Sequence, residues 1–105
     1  MIARTPQPPY FAVIFTSIKS PNDNGYSEMA TRMVKLATEQ QGFLGMEAAR
    51  ELIGITVSYW DSLEAIKNWK QNAEHLLAQE KGKSIWYSSF KVRISKVKHD
   101  YGFEI

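Results

Sequence analysis

The chain predicts an α+β, ferredoxin-like fold: a βαββαβ order with a four-stranded antiparallel sheet and both helices on one face. Three observations carry this. Tyr10 to Ile18 is β-branched, aromatic and apolar at both parities, as in a strand buried on both sides. Two later stretches repeat apolar residues at helical spacing. Three more alternate with period two, and two of these are separated only by the few residues around Glu51 and Leu52. At 105 residues the chain is expected to form a single domain over residues 10–105. Residues 1–9, with prolines at 6, 8 and 9, read as an extended arm without core contacts of its own.

The elements follow in order. After the first strand, Pro21 to Gly25 breaks the chain. Tyr26 to Gln41 then reads as a helix, with Met29, Met33, Leu36, Ala37 and Gln40 on one stripe and Glu28, Arg32, Lys35 and Glu39 opposite. The methionines are read as core, adaptable enough to suit an irregular wall. Gly42 stands where a left-handed residue ends the helix. Phe43 to Arg50 and Ile53 to Trp60 alternate and form a hairpin, the first with Leu44, Met46 and Ala48 on one side. Asp61 followed by Glu64 is a capping-box variant opening a second helix with Leu63, Ile66 and Trp69 on one side. Asn72 looks like a second cap, which predicts a kink and a restart over Ala73 to Lys81, with Ala73, Leu76, Leu77 and Glu80 in line. Tyr87 to His99 is the last strand; Phe90, Val92 and Ile94 alternate and Val97 falls out of phase, predicting a bulge near Ser95 and Lys96.

Composition excludes several functions. Without cysteine there is no disulfide framework, thiolate zinc site or cysteine nucleophile. The formal charge is only +2 and the lysines are scattered, so nucleic acid is not an expected partner. No apolar run is long enough for a membrane span or a signal peptide, so no membrane association and a cytoplasmic location are expected. No glycine-rich phosphate loop, metal-spaced His/Asp/Glu cluster or Ser-His-Asp set appears, which disfavours hydrolase and nucleotide-dependent chemistry. Three Trp, five Tyr and five Phe exceed the needs of a minimal core, so some are expected at an interface or a pocket. Two helices cover one sheet face only. The other would expose alternate residues of Tyr10 to Ile18 with Tyr59 or Trp60, and a second copy is the expected cover, making a homodimer.

The segments Gln41-Gly-Phe-Leu-Gly-Met-Glu and Tyr59-Trp-Asp-Ser-Leu-Glu-Ala-Ile-Lys-Asn-Trp-Lys, continuing through His75 to the Tyr101-Gly-Phe end, resemble the antibiotic biosynthesis monooxygenase family of dimeric α/β barrels. The likeness runs from about Tyr10 to Phe103. It implies a homodimer whose two sheets form a central barrel, with a pocket between sheet and helices in each subunit. It further implies oxidation of a small aromatic or quinol-type compound by O₂ without a bound metal, flavin or other cofactor. The family also includes many proteins with no established activity, so the alternative is a non-catalytic small-ligand-binding or stress-related dimer of the same fold. The haem-degrading branch uses an Asn on the first strand, a Trp on the second helical segment and a His ten residues later; here Trp69 matches, but Phe15 and Gln79 occupy the other two positions. The missing His removes an axial iron ligand, and His75 lies a helical turn away.

Under that likeness Trp60 and Trp69, where strand meets helix, would wall a planar substrate. Their ordinary role would be to pack the helix onto the sheet. His75 would be the general base, with Asn68 stabilising a developing oxyanion; otherwise His75 is an exposed or capping residue. Tyr59 and Tyr87 would supply placed hydroxyls among apolar walls. His99, in a charged stretch near the chain end, reads as a solvated residue.

Overall fold

The computed structural model describes residues 1–22, 24–79 and 86–105, the side chains of 77–79 excepted. Its elements are β1 (Tyr10–Lys19), α1 (Tyr26–Thr38), β2 (Phe43–Arg50), β3 (Gly54–Trp60), α2 (Leu63–Gln79) and β4 (Tyr87–Val97). The strands form one antiparallel sheet in the order β2-β3-β1-β4. This is the ferredoxin-like α+β fold expected from the patterning. The apolar β1 is a central strand, as its double-sided hydrophobicity requires.

Alternation divides the sheet into two sides. On the helix side Phe11, Val13, Phe15 and Ser17 of β1 stand beside Trp60, Ser58, Thr56 and Gly54 of β3. There Trp60, Ala65 and Ile66 form the core, with Phe11, Val13, Phe43 and Trp69 packed around them. Trp60 is completely buried and its indole Nε1 donates to Ser58 Oγ at 2.9 Å. Burying a side chain of this size contributes roughly 2–3 kcal/mol. The buried Met29 and Ala37 of α1, with the partly buried Met33, Leu36 and Gln40, reproduce the predicted stripe.

Several details depart from the sequence expectation. Helix α2 runs without a restart at Asn72, whose side-chain Nδ2 donates instead to the Asn68 carbonyl and to Gln40 Oε1, both at 3.0 Å. A polar side chain that bonds back to its own helix while crossing to a neighbour leaves the backbone ladder intact. The α2 cap is Ser62, whose Oγ accepts from the Ala65 amide at 3.0 Å, rather than Asp61. The Leu77 side chain and Glu80, expected in the same stripe, lie outside what the structure describes.

β4 stays in continuous register past Ser95 and Lys96, ending at Val97 rather than His99. Val97 pairs with Tyr10 and is partly buried on the far side, so its phase change reflects a change in which face is covered. Register shifts instead at Ile18/Lys19 opposite the start of β4, and at Phe43/Gly45 on β2. The second shift puts Phe43 on the same side as Met46 and Ala48; Gly45, at φ 157°, absorbs it.

The arm also behaves differently. The Ala3 amide donates to Glu47 Oε2 at 2.8 Å, and Thr5 Oγ1 donates to the Tyr10 hydroxyl at 3.1 Å. That hydroxyl in turn donates to Asp100 beyond β4. Arm and tail therefore lie over part of the sheet side away from the helices, and Tyr10 and Ala12 are buried. Trp60 faces the helices, not that side. The larger bare apolar strip is on β4: Phe90, Val92 and Ile94, each about half exposed or more, on the helix side of an edge strand. The helices pack chiefly on each other and over β2 and β3, which leaves that strip open.

Candidate functional site

The helices leave the helix side of β1 and β4 open, and the space over this apolar surface is the candidate cleft. Its floor is Phe11, Val13 and Phe15 with Phe90, Val92 and Ile94, all on one side by register. One end carries the Trp pair: Trp60 and Trp69 stack with centroids 5.9 Å apart at 22°, and Phe43 meets Trp60 edge-on at 5.4 Å. Trp60 is wholly interior and Trp69 half-buried, so only Trp69 can present surface to a ligand.

The other end is aromatic and basic. Phe15 stacks on Phe90 (5.6 Å, 28°) and meets Tyr87 edge-on at 5.4 Å; Tyr87 meets Tyr26 edge-on at 5.7 Å. The Tyr87 and Tyr26 hydroxyls are 3.5 Å apart. Burial above all, then this contact, pushes the Tyr87 phenol well above its ordinary value, and the Arg50 charge works in the opposite sense. Lys19 Nζ lies 4.5 Å from the Tyr26 ring centroid, and Arg50 Cζ lies 5.8 Å from the same ring. Arg50 Nη2 donates to the buried Ser17 hydroxyl, while Nη1 is buried without a hydrogen-bond partner among the described residues.

The residues singled out from sequence fall in separate places. Trp60 pairs with Phe11 and Tyr87 with Lys19, eight residues apart along β1, roughly 26 Å at the rise of a strand. Tyr59 is on the opposite side of the sheet, where its hydroxyl donates to Glu47 Oε1 at 2.8 Å and its ring meets Tyr10 edge-on. Burial, then that bond to Glu47, pushes its phenol up to about 12. His75 is exposed and lines a groove of about 390 Å³ between α1 and α2, with Arg32, Lys35, Leu36, Glu39, Asn72 and Leu76. Asn68 is exposed about two turns before His75 on α2, its carbonyl accepting from Asn72 Nδ2. The structure thus brings Trp60 and Trp69 together and leaves His75, Tyr59 and Tyr87 apart. Among the described residues no three His, Asp or Glu side chains gather to hold a metal, and no helix is long and apolar enough to cross a membrane.

Sequence reasoning missed Arg50, Tyr26, Phe15 and Phe90 as a group. A signal existed: Met46, Ala48 and Arg50 share parity, so a cation falls on the helix side of β2, opposite a glycine.

A family model described as antibiotic biosynthesis monooxygenase matches residues 9–81. The chain is 58% identical over 98 residues to the uncharacterized protein YqjZ of Bacillus subtilis, covering 91% of this chain and 86% of that one. It is similar in fold to SnoaB, a cofactor-independent oxygenase from Streptomyces nogalater, with a TM-score of 0.71 at 9% identity over 87% of this chain and 95% of that one. A Pseudomonas aeruginosa protein gives a TM-score of 0.68 at 16% identity over 91% and 99% of the two chains.

Proposed function

On the premise that the chain belongs to the antibiotic biosynthesis monooxygenase family, we propose that it oxidises a small aromatic or quinol-type compound with O₂, in the cleft over β1 and β4, without a bound metal or flavin. The observation that carries this reading is the open apolar strip of Phe15, Phe90, Val92 and Ile94, which the helix layer leaves uncovered. Such a strip exceeds in apolar character what an isolated strand edge needs, and it suits the flat face of a ring.

The chemistry is a four-electron oxidation of one substrate carbon, matched by the full reduction of one O₂. An electron-rich phenol or its carbon tautomer loses a proton to water, and the resulting anion gives one electron to O₂. The radicals recombine to a peroxide, which loses water to leave a new carbonyl. A CH₂ group plus O₂ thus becomes a C=O group plus H₂O. The protein contributes a ring-lined apolar surface, which a second copy of the chain would close from bulk water so that polar contacts to the developing anion strengthen. A homodimer belongs to the same proposal, with a second copy of the chain closing over the exposed β4 strip.

Oxygen uptake with a panel of anthrones, quinols and catechols tests it. Turnover in chelator-treated protein is expected, with KM raised in Trp69→Phe. Absence of metal-free turnover, or turnover with an unchanged KM in Trp69→Phe, refutes it. The place of His75, exposed in the interhelical groove, favours a second reading, a ligand-binding dimer of the same fold without catalysis. Ring binding without oxygen uptake would establish that reading. A haem-binding form is a third; a haemin titration without a Soret shift removes it.

A further inference from the structure

We infer that Arg50 anchors an anionic oxygen, and that the ligand of the cleft is a planar aromatic oxyanion: a ring bearing an ionised phenol, enol or carboxylate. This rests on the reading that the cleft is the ligand site, and deepens it. The guanidinium carries five N–H donors and is permanently charged. Ser17 accepts from Nη2, but Nη1 is buried with no acceptor among the described residues. A buried cationic donor without a partner is strongly unfavourable, and folded proteins retain few of them.

Its position is built rather than incidental. Gly54 lies beside Arg50 in the β2–β3 ladder, and a Cβ there would overlap the guanidinium, so the absence of a side chain makes room for the cation. Tyr26 receives both Arg50 and Lys19 near its ring. From Tyr26 the rings run through Tyr87 and Phe15 to Phe90, which is 62% exposed. One end of the row is positive and the other is open aromatic surface. A simple inorganic anion would use only the first and a neutral ring only the second. A ring with an oxyanion uses both, through a charge-assisted hydrogen bond at one end and ring contacts along the row. For a phenol the same cation favours the ionised form, the proton leaving to solvent.

The test compares 2-naphthoate with the neutral 2-naphthalenemethanol by calorimetric titration at pH 7.5, in the wild type, Arg50→Gln and Arg50→Lys. The wild type is expected to prefer naphthoate by about tenfold or more, as one charge-assisted hydrogen bond implies. Arg50→Gln should abolish the preference and Arg50→Lys restore part of it. A measurement on the unaltered protein guards against misfolded variants: the Arg50 Nε–H resonance should shift with naphthoate and stay still with the alcohol. Equal affinity for both probes, binding of neither, a preference that survives in Arg50→Gln, or an unmoved Arg50 resonance at saturation overturns the inference. If the naphthoate preference holds but no substrate consumes oxygen, the oxidation reading falls and this one stands. If oxygen consumption proceeds in Arg50→Gln with an unchanged KM, the reverse is true.

Discussion

Gly42 and Asp61 are locked together where β2 begins and the chain turns into α2. The Asp61 amide donates to the Gly42 carbonyl at 2.9 Å. A Cβ built on Gly42 would stand 2.5 Å from Asp61 Oδ1 and 2.6 Å from Ala65 Cβ. Gly42 also sits at φ 90°. The two sequence segments that carry the family likeness thus meet at one contact, and each needs the other's shape.

Gly42→Ala should therefore be costly on two counts, left-handed strain and collision, for about 2–3 kcal/mol together. Gly25 is the control: its φ is 81°, but a Cβ there would meet only Trp86 at an ordinary 3.7 Å. Gly25→Ala should lose only the strain, about 1 kcal/mol. Urea denaturation of the two variants checks the order; equal losses would mean the Asp61 contact yields freely.

The stacked pair Trp60 and Trp69 predicts an asymmetry. Trp60→Phe removes a fully buried indole and strands the Ser58 hydroxyl, and should cost about 2–3 kcal/mol. Trp69→Phe, at a half-buried site, should cost about 1 kcal/mol. In a double-mutant cycle the coupling should be about 0.5–1.5 kcal/mol.

The raised Tyr59 phenol predicts alkaline sensitivity. Its folded value of about 12 exceeds the unfolded value of 10.0, so between these the unfolded chain binds fewer protons. Stability is complete below pH 10 and is lost as pH rises from 10 towards 12. Tyr59→Phe should flatten that part of the profile. Absorbance titration at 295 nm should show a phenol ionising late in the wild type and missing from the variant.

Tyr10 and Asp100 make a tail clamp whose loss should be local. Tyr10→Phe removes the hydrogen bonds to Asp100 and Thr5 while keeping the buried ring. Amide exchange near Asp100 should quicken markedly, with global stability lowered by only about 1 kcal/mol. The exposed Arg4–Glu104 pair, 3.3 Å apart, adds little at either end. Uniformly faster exchange throughout the sheet would refute a local clamp.

Element order and strand pairing were legible because periodicity reports which faces are covered, and the hairpin and both helix stripes sit as their spacing requires. Phase was less legible. The shift at Phe43/Gly45 realigned Phe43, and Val97 suggested a bulge where the structure has only a change of cover. Asn72 resembled a cap because the sequence cannot reveal that Gln40, thirty-two residues away, would take its amide. The candidate site was the least legible part. Trp60 and Tyr87 share the helix side but stand at opposite ends of β1, Tyr59 faces away, and His75 lies on the outer helix layer. Residue types advertise chemistry, but convergence depends on side and register. Arg50 drew no notice because a lone arginine at a hairpin looks solvated until Gly54 and Ser17 are seen around it.

The uncovered β4 bears on how copies of the chain can meet. Among the described residues no strand pairs with its backbone edge away from β1, and an eleven-residue edge would ordinarily template strand-to-strand ribbons. Lys91 and Arg93, exposed in mid-strand, would face their own counterparts across an antiparallel β4–β4 seam, with Lys96 and Lys98 adding like charge towards its end. The repulsion guards against fibrous growth at low ionic strength and weakens as salt rises. The same strand that offers an apolar face thus carries its own electrostatic gatekeepers along its rim.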